Sequence, residues 1–193
     1  MATGDEFLVA TLPALDLVHN LARRMVPSRA DAEDLVQETY LRAWRAWMAG
    51  RPPRRVEPWL ATICLNLGRD RARRAATRLE VPSEQLPELA GPTDVETQAL
   101  DRVRLAQVER ALWALPEAQR LAVTLMDLGG FTAAEVADVL GRPRGTVLAW
   151  VHRGRKELAR LGTIRRARLW IRSSAGSVAA RKSSPVAIPP SQG

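Results

Sequence analysis

Thr62, Asn66, Arg69 and Arg73 recur at i, i+4, i+7 and i+11, which places them on one strip of a helix. One hydroxyl, one amide and two guanidinia in a row can hold phosphates while offering hydrogen bonds to base edges. Arg69, Arg71, Arg73, Arg74 and Arg78 crowd the same stretch, with only Asp70 against them. A second basic face is spaced for a helix farther on, where Ala149, His152, Arg153, Lys156 and Arg160 point one way, flanked by Leu148 and Arg155. Such a face suits the major groove, where arginine reads guanine and its neighbours hold phosphate. Residues for covalent chemistry are sparse. Cys64 is the single cysteine, and His19 and His152 lie far apart in the chain. No Gly-rich phosphate loop, metal-ligand cluster or nucleophile–base motif is present, so neither an enzyme nor a bound metal or cofactor is expected.

The elements that position these residues are helical. β-branched runs of alternating polarity are absent, so no sheet is expected. Glu6–Val26 reads as a helix with Leu8, Leu12, Leu15, Val18, Ala22 and Met25 at helical intervals and a kink at Pro13. Asp31–Met48 reads as a strong helix, with Asp31 as N-cap and Gly50, Pro52 and Pro53 as its stop. Val36, Thr39, Tyr40, Ala43 and Trp47 form its core face. The opposite face mixes Asp34, Gln37, Glu38 and Arg45 with Leu41 and Met48, with Trp44 at the edge. Apolar groups ringed by fixed polar ones suit a protein docking surface. Pro58 is placed to open Pro58–Arg74 at its first position. Its apolar face is Trp59, Leu60, Ile63 and Leu67, with Cys64 beside Leu60 and Leu67 as a buried thiol; Trp59 is read as packing there in preference to stacking on an unpaired base.

Leu79–Asp101 is acidic and proline-bearing, with no Lys or Arg before Arg102, and reads as a flexible linker. Val95–Ala114 and a helix opened by Pro116 follow. Thr132–Glu135 is a capping box that starts a short helix to Leu140, Gly141 turns the chain, and Thr146–Leu161 forms the last long helix. Ala137, Gly141 and Val147 supply a small residue at a helix crossing, a glycine for positive φ and an apolar anchor, the spacing of a helix-turn-helix. The fold class expected is therefore all-α, with two small helical domains at 1–78 and 102–162 joined by the acidic linker 79–101. A basic, disordered tail is expected at 163–193.

A formal net charge of +8 and a pI near 11.1 call for a polyanionic partner. No apolar run approaches the roughly 20 residues of a spanning helix, and the acidic N-terminus is unlike a signal peptide, so the expected compartment is the cytoplasm.

Asp-Ala-Glu-Asp-Leu-Val-Gln-Glu-Thr followed by Leu-Arg-Ala-Trp resembles the core-polymerase-binding region of the extracytoplasmic-function (ECF) sigma factors, the smallest members of the sigma-70 family. The resemblance implies docking on the coiled-coil clamp of the largest polymerase subunit through Asp34, Leu35, Gln37, Glu38, Leu41 and Arg42. Val56–Arg74 is similar to the family's segment for the −10 promoter element, which opens the duplex and captures a flipped base with the preceding loop. That implies −10 contacts from Arg54, Arg55, Trp59, Thr62, Asn66, Arg69 and Arg73, with Arg51–Val56 as the pocket wall. Ala114–Arg155 resembles the domain that holds the −35 duplex. The implied contacts are Arg142, Arg144, Thr146, Leu148, Ala149, His152, Arg153 and Lys156. Where the family usually carries a basic residue, Ser and Arg, this chain has Leu148, Ala149 and Trp150, so −35 readout is expected to rest on Arg142, Arg144 and Arg153 or on DNA shape.

The resemblance thus implies a sigma factor with core RNA polymerase and promoter DNA as partners, and an anti-sigma factor as a frequent further one. An ordinary helix-turn-helix regulator explains the C-terminal half equally well, but not the mixed outer face of Asp31–Met48 or the first arginine strip. A nucleic-acid hydrolase needs clustered carboxylates, whereas these acids are dispersed.

Overall fold

The computed structural model describes residues 3–77 and 106–160. The linker and the tail expected from the sequence lie outside them, as do the start of Val95–Ala114 and the last residue of Thr146–Leu161. Among the described residues every regular element is a helix. They are α1 (Gly4–Thr11), a tight 3₁₀ turn (Leu12–Ala14), α2 (Leu15–Ala22), α3 (Arg29–Met48) and α4 (Val56–Thr77), then α5 (106–113), α6 (Glu117–Val123), α7 (Ala133–Leu140) and α8 (Arg144–Arg160).

The first module packs α2, α3 and α4 against one another, with α1 laid across them. Phe7 fixes α1. Its ring stands edge-on to Trp44, Trp47 and Tyr40 at centroid distances of 5.2, 5.7 and 6.4 Å, the geometry aromatic quadrupoles favour. The apolar periodicity expected for Glu6–Val26 holds at Val18 and Ala22 but not before them. Pro13 does more than kink one helix: it divides the stretch into two helices with a 3₁₀ turn between. Phe7, Thr11, Ala14 and Val18 then point inward, whereas Leu8, Leu12 and Leu15 are exposed.

Two helix starts also differ from expectation. Ser28, not Asp31, caps α3, its hydroxyl accepting from the Asp31 N–H. Asp31 instead sits in the first turn, where its charge favours the helix dipole. α4 begins two residues before Pro58, which still falls in the first turn, where a missing N–H costs nothing. The α3 core face is as expected at Thr39 and Ala43, both buried, with Val36, Tyr40 and Trp47 packed partly against the core. Cys64 is buried as expected.

In the second module the Thr132 hydroxyl accepts from the Glu135 N–H, and the Glu135 carboxylate accepts from the Thr132 N–H at 2.8 Å. Gly141 closes α7 at φ 63°, a left-handed conformation that only glycine adopts cheaply. α8 starts at Arg144, earlier than expected, and buries Val147, Val151, Gly154 and Leu158. At Gly154 a Cβ would lie 2.9 Å from Val123 Cγ2, so the glycine lets α8 approach α6 closely. Between α6 and α7, Thr124–Leu128 forms one wide turn, the Gly129 N–H donating to the Thr124 carbonyl five residues back.

The two modules share one apolar core, running from Phe7, Leu21, Leu35 and Leu60 to Leu121, Leu125, Val136 and Val147. α4 packs on α7, and α2 packs on the Thr124–Leu128 turn.

Candidate nucleic-acid and polymerase interface

α3 presents Leu41 at 57% exposure and Met48 at 48%, with Asp34, Gln37 and Arg45 beside them on the outer side of the helix. Two apolar side chains held open on a rigid helix among charges form the mixed face that the spacing required. Glu38 is tied to the neighbouring helix, because Arg71 of α4 donates to it at 2.8 Å and also reaches the Asp31 carbonyl. Leu35 leaves the docking set. It is fully buried in the core, so it supports the docking helix from behind and has no free surface. Arg42 lines a cleft with α4 residues.

That cleft, about 740 Å³, is bordered by Arg42, Asn66, Arg69, Asp70 and Arg73 of the first module and by Glu117 of the second. Three of the strip residues, Asn66, Arg69 and Arg73, therefore meet in one concavity. Thr62 does not join them as a free donor, since its hydroxyl donates to the Pro58 carbonyl at 2.8 Å. Arg73 pairs with Asp70 one turn back. Trp59 is half-buried against the core, as its apolar-face position indicated. In the preceding loop Arg54 and Arg55 are exposed, and Arg55 forms an ion pair with Glu135 of α7.

On α8 and the turn before it, Arg142, Arg144, Leu148, Ala149, His152, Arg153 and Lys156 all reach solvent, and Thr146 is half-exposed. Leu148, at 43% exposure, is an apolar group among cations, suited to a thymine methyl. Trp150 packs at the edge of the core. Arg155 is paired with Asp127 and Arg160 with Glu157, which leaves Arg153 and Lys156 as the less committed cations of that face.

Residues that the sequence reading passed over hold the two modules together. Glu109 meets Arg23 at 3.4 Å and Arg24 at 3.6 Å. Arg120 donates from Nε to the Arg24 carbonyl at 2.9 Å and stacks over Trp113 at 4.1 Å. Burial pushes the Arg24 guanidinium down to about 10, with Glu109 opposing the shift. Burial also lowers Arg120. Nothing in the spacing announces these contacts, since Arg23 and Glu109 are separated by 86 positions. The adjacent Arg23-Arg24 pair at the end of an apolar helix was the available sign.

An all-α chain with these faces fits a DNA-binding initiation factor, and comparison with known proteins shows the class to be sigma-70. The Sigma-70 region 2 family matches residues 13–78, and the Sigma-70 region 4 family matches residues 105–158. The chain is 37% identical over 145 residues to the ECF RNA polymerase sigma factor SigM of Mycobacterium tuberculosis, covering 75% of this chain and 70% of SigM. It is 35% identical over 164 residues to the ECF sigma factor SigE of Mycolicibacterium smegmatis, covering 81% of this chain and 63% of that protein. Among solved structures it resembles the sigma factor RpoE of Bartonella quintana in complex with the anti-sigma factor NepR, with TM-score 0.65 and 28% identity, over 78% of this chain and 92% of that one. The chain belongs to the ECF sigma factors of bacterial RNA polymerase. That family consists of initiation factors, not enzymes.

Proposed function

We propose that this chain binds core RNA polymerase and directs promoter-specific initiation. In this reading α3 docks on the clamp of the largest subunit through Asp34, Gln37, Glu38 and Leu41. The Arg54–Arg55 loop and the α4 strip take the opened −10 strand, and Arg142, Arg144, Arg153 and Lys156 hold the −35 duplex. The proposed modules are 1–78 and 102–162, with 79–101 as the linker. The observation that carries the reading is the combination, on one chain, of an α3 face exposing Leu41 and Met48 with two separate arginine-bearing surfaces. Neither a hydrolase nor a single-site regulator needs all three.

A factor that works on chromosomal DNA belongs in the cytoplasm, and no described helix is long and apolar enough to cross a membrane. The RpoE relative is held by an anti-sigma factor, and a partner of that kind is proposed here too.

The test is reconstitution with core polymerase lacking any sigma, on a promoter cloned from upstream of the chain's own gene. Co-elution with core and transcription, both abolished in Leu41→Asp with folding intact, are expected. Tight duplex binding without core association overturns the reading in favour of an ordinary regulator.

A further inference from the structure

A run of apolar side chains near the N-terminus belongs to none of the faces described above. Leu8, Leu12 and Leu15 follow the buried Phe7, Thr11 and Ala14 by one position each, so they form a second row along α1, the 3₁₀ turn and the start of α2. Leu8 is 47% exposed, Leu12 52% and Leu15 40%, and Val9 beside them reaches 70%. Exposed leucines scattered singly need no explanation, whereas four on one side of a short stretch mark an interaction surface. Asp5 and Asp16 stand exposed at the two ends of the row. The first 22 residues hold three acids and no lysine or arginine, although the chain as a whole carries +8.

The acids at both ends narrow the choice of occupant. Two copies laid strip to strip bring carboxylate against carboxylate whichever way they run, and like charges face to face are costly. A nucleic acid or an acidic membrane is repelled. The strip asks for a segment that is both apolar and basic. Such a segment lies in 161–193, outside the described residues. Residues 164–172 read Ile-Arg-Arg-Ala-Arg-Leu-Trp-Ile-Arg, and no Asp or Glu occurs from 161 to 193. Tryptophan is also among the side chains that most often anchor a contact of this kind.

Reach is sufficient. Arg155 of α8 pairs with Asp127 in the wide turn before α7. A Cβ on Gly129, just after that turn, would lie 2.9 Å from Leu17 Cδ1 of α2. The last turns of α8, which ends at Arg160, are thus joined through that turn to the helix that carries Leu15. The twelve residues from Arg160 to Arg172 reach about 40 Å when drawn out. The row from Leu8 to Leu15 is only about 10 Å long at 1.5 Å per residue.

We propose that residues 164–172 dock on the α1–α2 strip of the same chain, with their apolar side chains on Leu8, Val9, Leu12 and Leu15 and their arginines beside Asp5 and Asp16. The contact needs none of the promoter roles proposed above.

Limited trypsin digestion of the full chain tests it, with single-cleavage products read by intact mass and a synthetic 161–193 peptide as the freely accessible reference. Docking is expected to slow cleavage after Arg168 and Arg172 about tenfold relative to the peptide, the factor for a segment open one-tenth of the time. Cleavage after Arg181 and Lys182 is expected to match the peptide. Val9→Asp and Leu12→Asp, at exposed positions and with helix content checked by circular dichroism, are each expected to restore the peptide rate. Met48→Asp, an exposed apolar position on α3 outside the strip, is expected to keep the protection. Cleavage of the wild type at the peptide rate overturns the proposal. Protection that survives both strip variants, or that Met48→Asp removes equally, overturns it too, because the segment is then held elsewhere. Protection that fades on dilution while gel filtration shows a dimer dissociating assigns the strip to a second copy and overturns docking within one chain.

Discussion

Single side chains on α3 carry opposite instructions although they lie less than two turns apart. Leu41 is open to solvent and Leu35 is sealed in the core. Leu41→Asp is therefore expected to leave the melting temperature within a degree or two of wild type while weakening core association at least about tenfold, given the weight that single apolar anchors carry at interfaces. Leu35→Asp is expected to unfold the module, because it buries a charge with no partner; thermal denaturation beside a core pull-down distinguishes the two. Cys64 gives a second test at this scale. Burial pushes its thiol up to about 12, with a Thr39 hydrogen bond opposing the shift, so the thiolate is negligible at about pH 8. Ellman's reagent is expected to leave Cys64 unmodified in native protein and to titrate one thiol in guanidinium. Cys64 was legible from its neighbours at helical spacing. The burial of Leu35 was not, because a motif tells which residues accompany a function without saying which face each one takes.

Helix ends and turns fix the geometry of the second module. The Thr132–Glu135 capping box starts α7, and Gly141 at positive φ ends it just before α8. Thr132→Ala is expected to cost about 1 kcal/mol, the usual value of a missing N-cap, and Gly141→Ala about as much through strain at its left-handed backbone; chemical denaturation measures both. The −35 role proposed above rests on the exposed cations. Arg144→Ala or Lys156→Ala is expected to weaken −35 duplex binding by holoenzyme and to reduce the salt slope by about 1 for each phosphate no longer neutralised. The helix-turn-helix was legible because capping and positive φ are local demands written into local residues. α1 and α2 were less so. A periodicity of leucines at 8, 12 and 15 suggested one amphipathic helix, but Pro13 re-phased the stretch and Phe7, set among three aromatics, decided which side faced in.

At the scale of the molecule, composition and charge pointed to a polyanion, and the change in composition over 79–101 suggested a module on either side of it. What the sequence did not disclose is that they share a core. Contacts between helix faces many positions apart have no period or motif, and the cations involved look no different from the rest of a basic chain. The shared core has a bearing on dosage. A partner that needs the modules apart meets only the open fraction, whereas the α3 face with Leu41 and Met48 is exposed in the closed form. If about one chain in a hundred is open, any partner that requires the open form experiences a dissociation constant raised by about the same factor. The number of copies at which a promoter begins to fire is then set by the strength of an internal contact as much as by promoter sequence, and a substitution at Glu109 would lower that number without touching a single base.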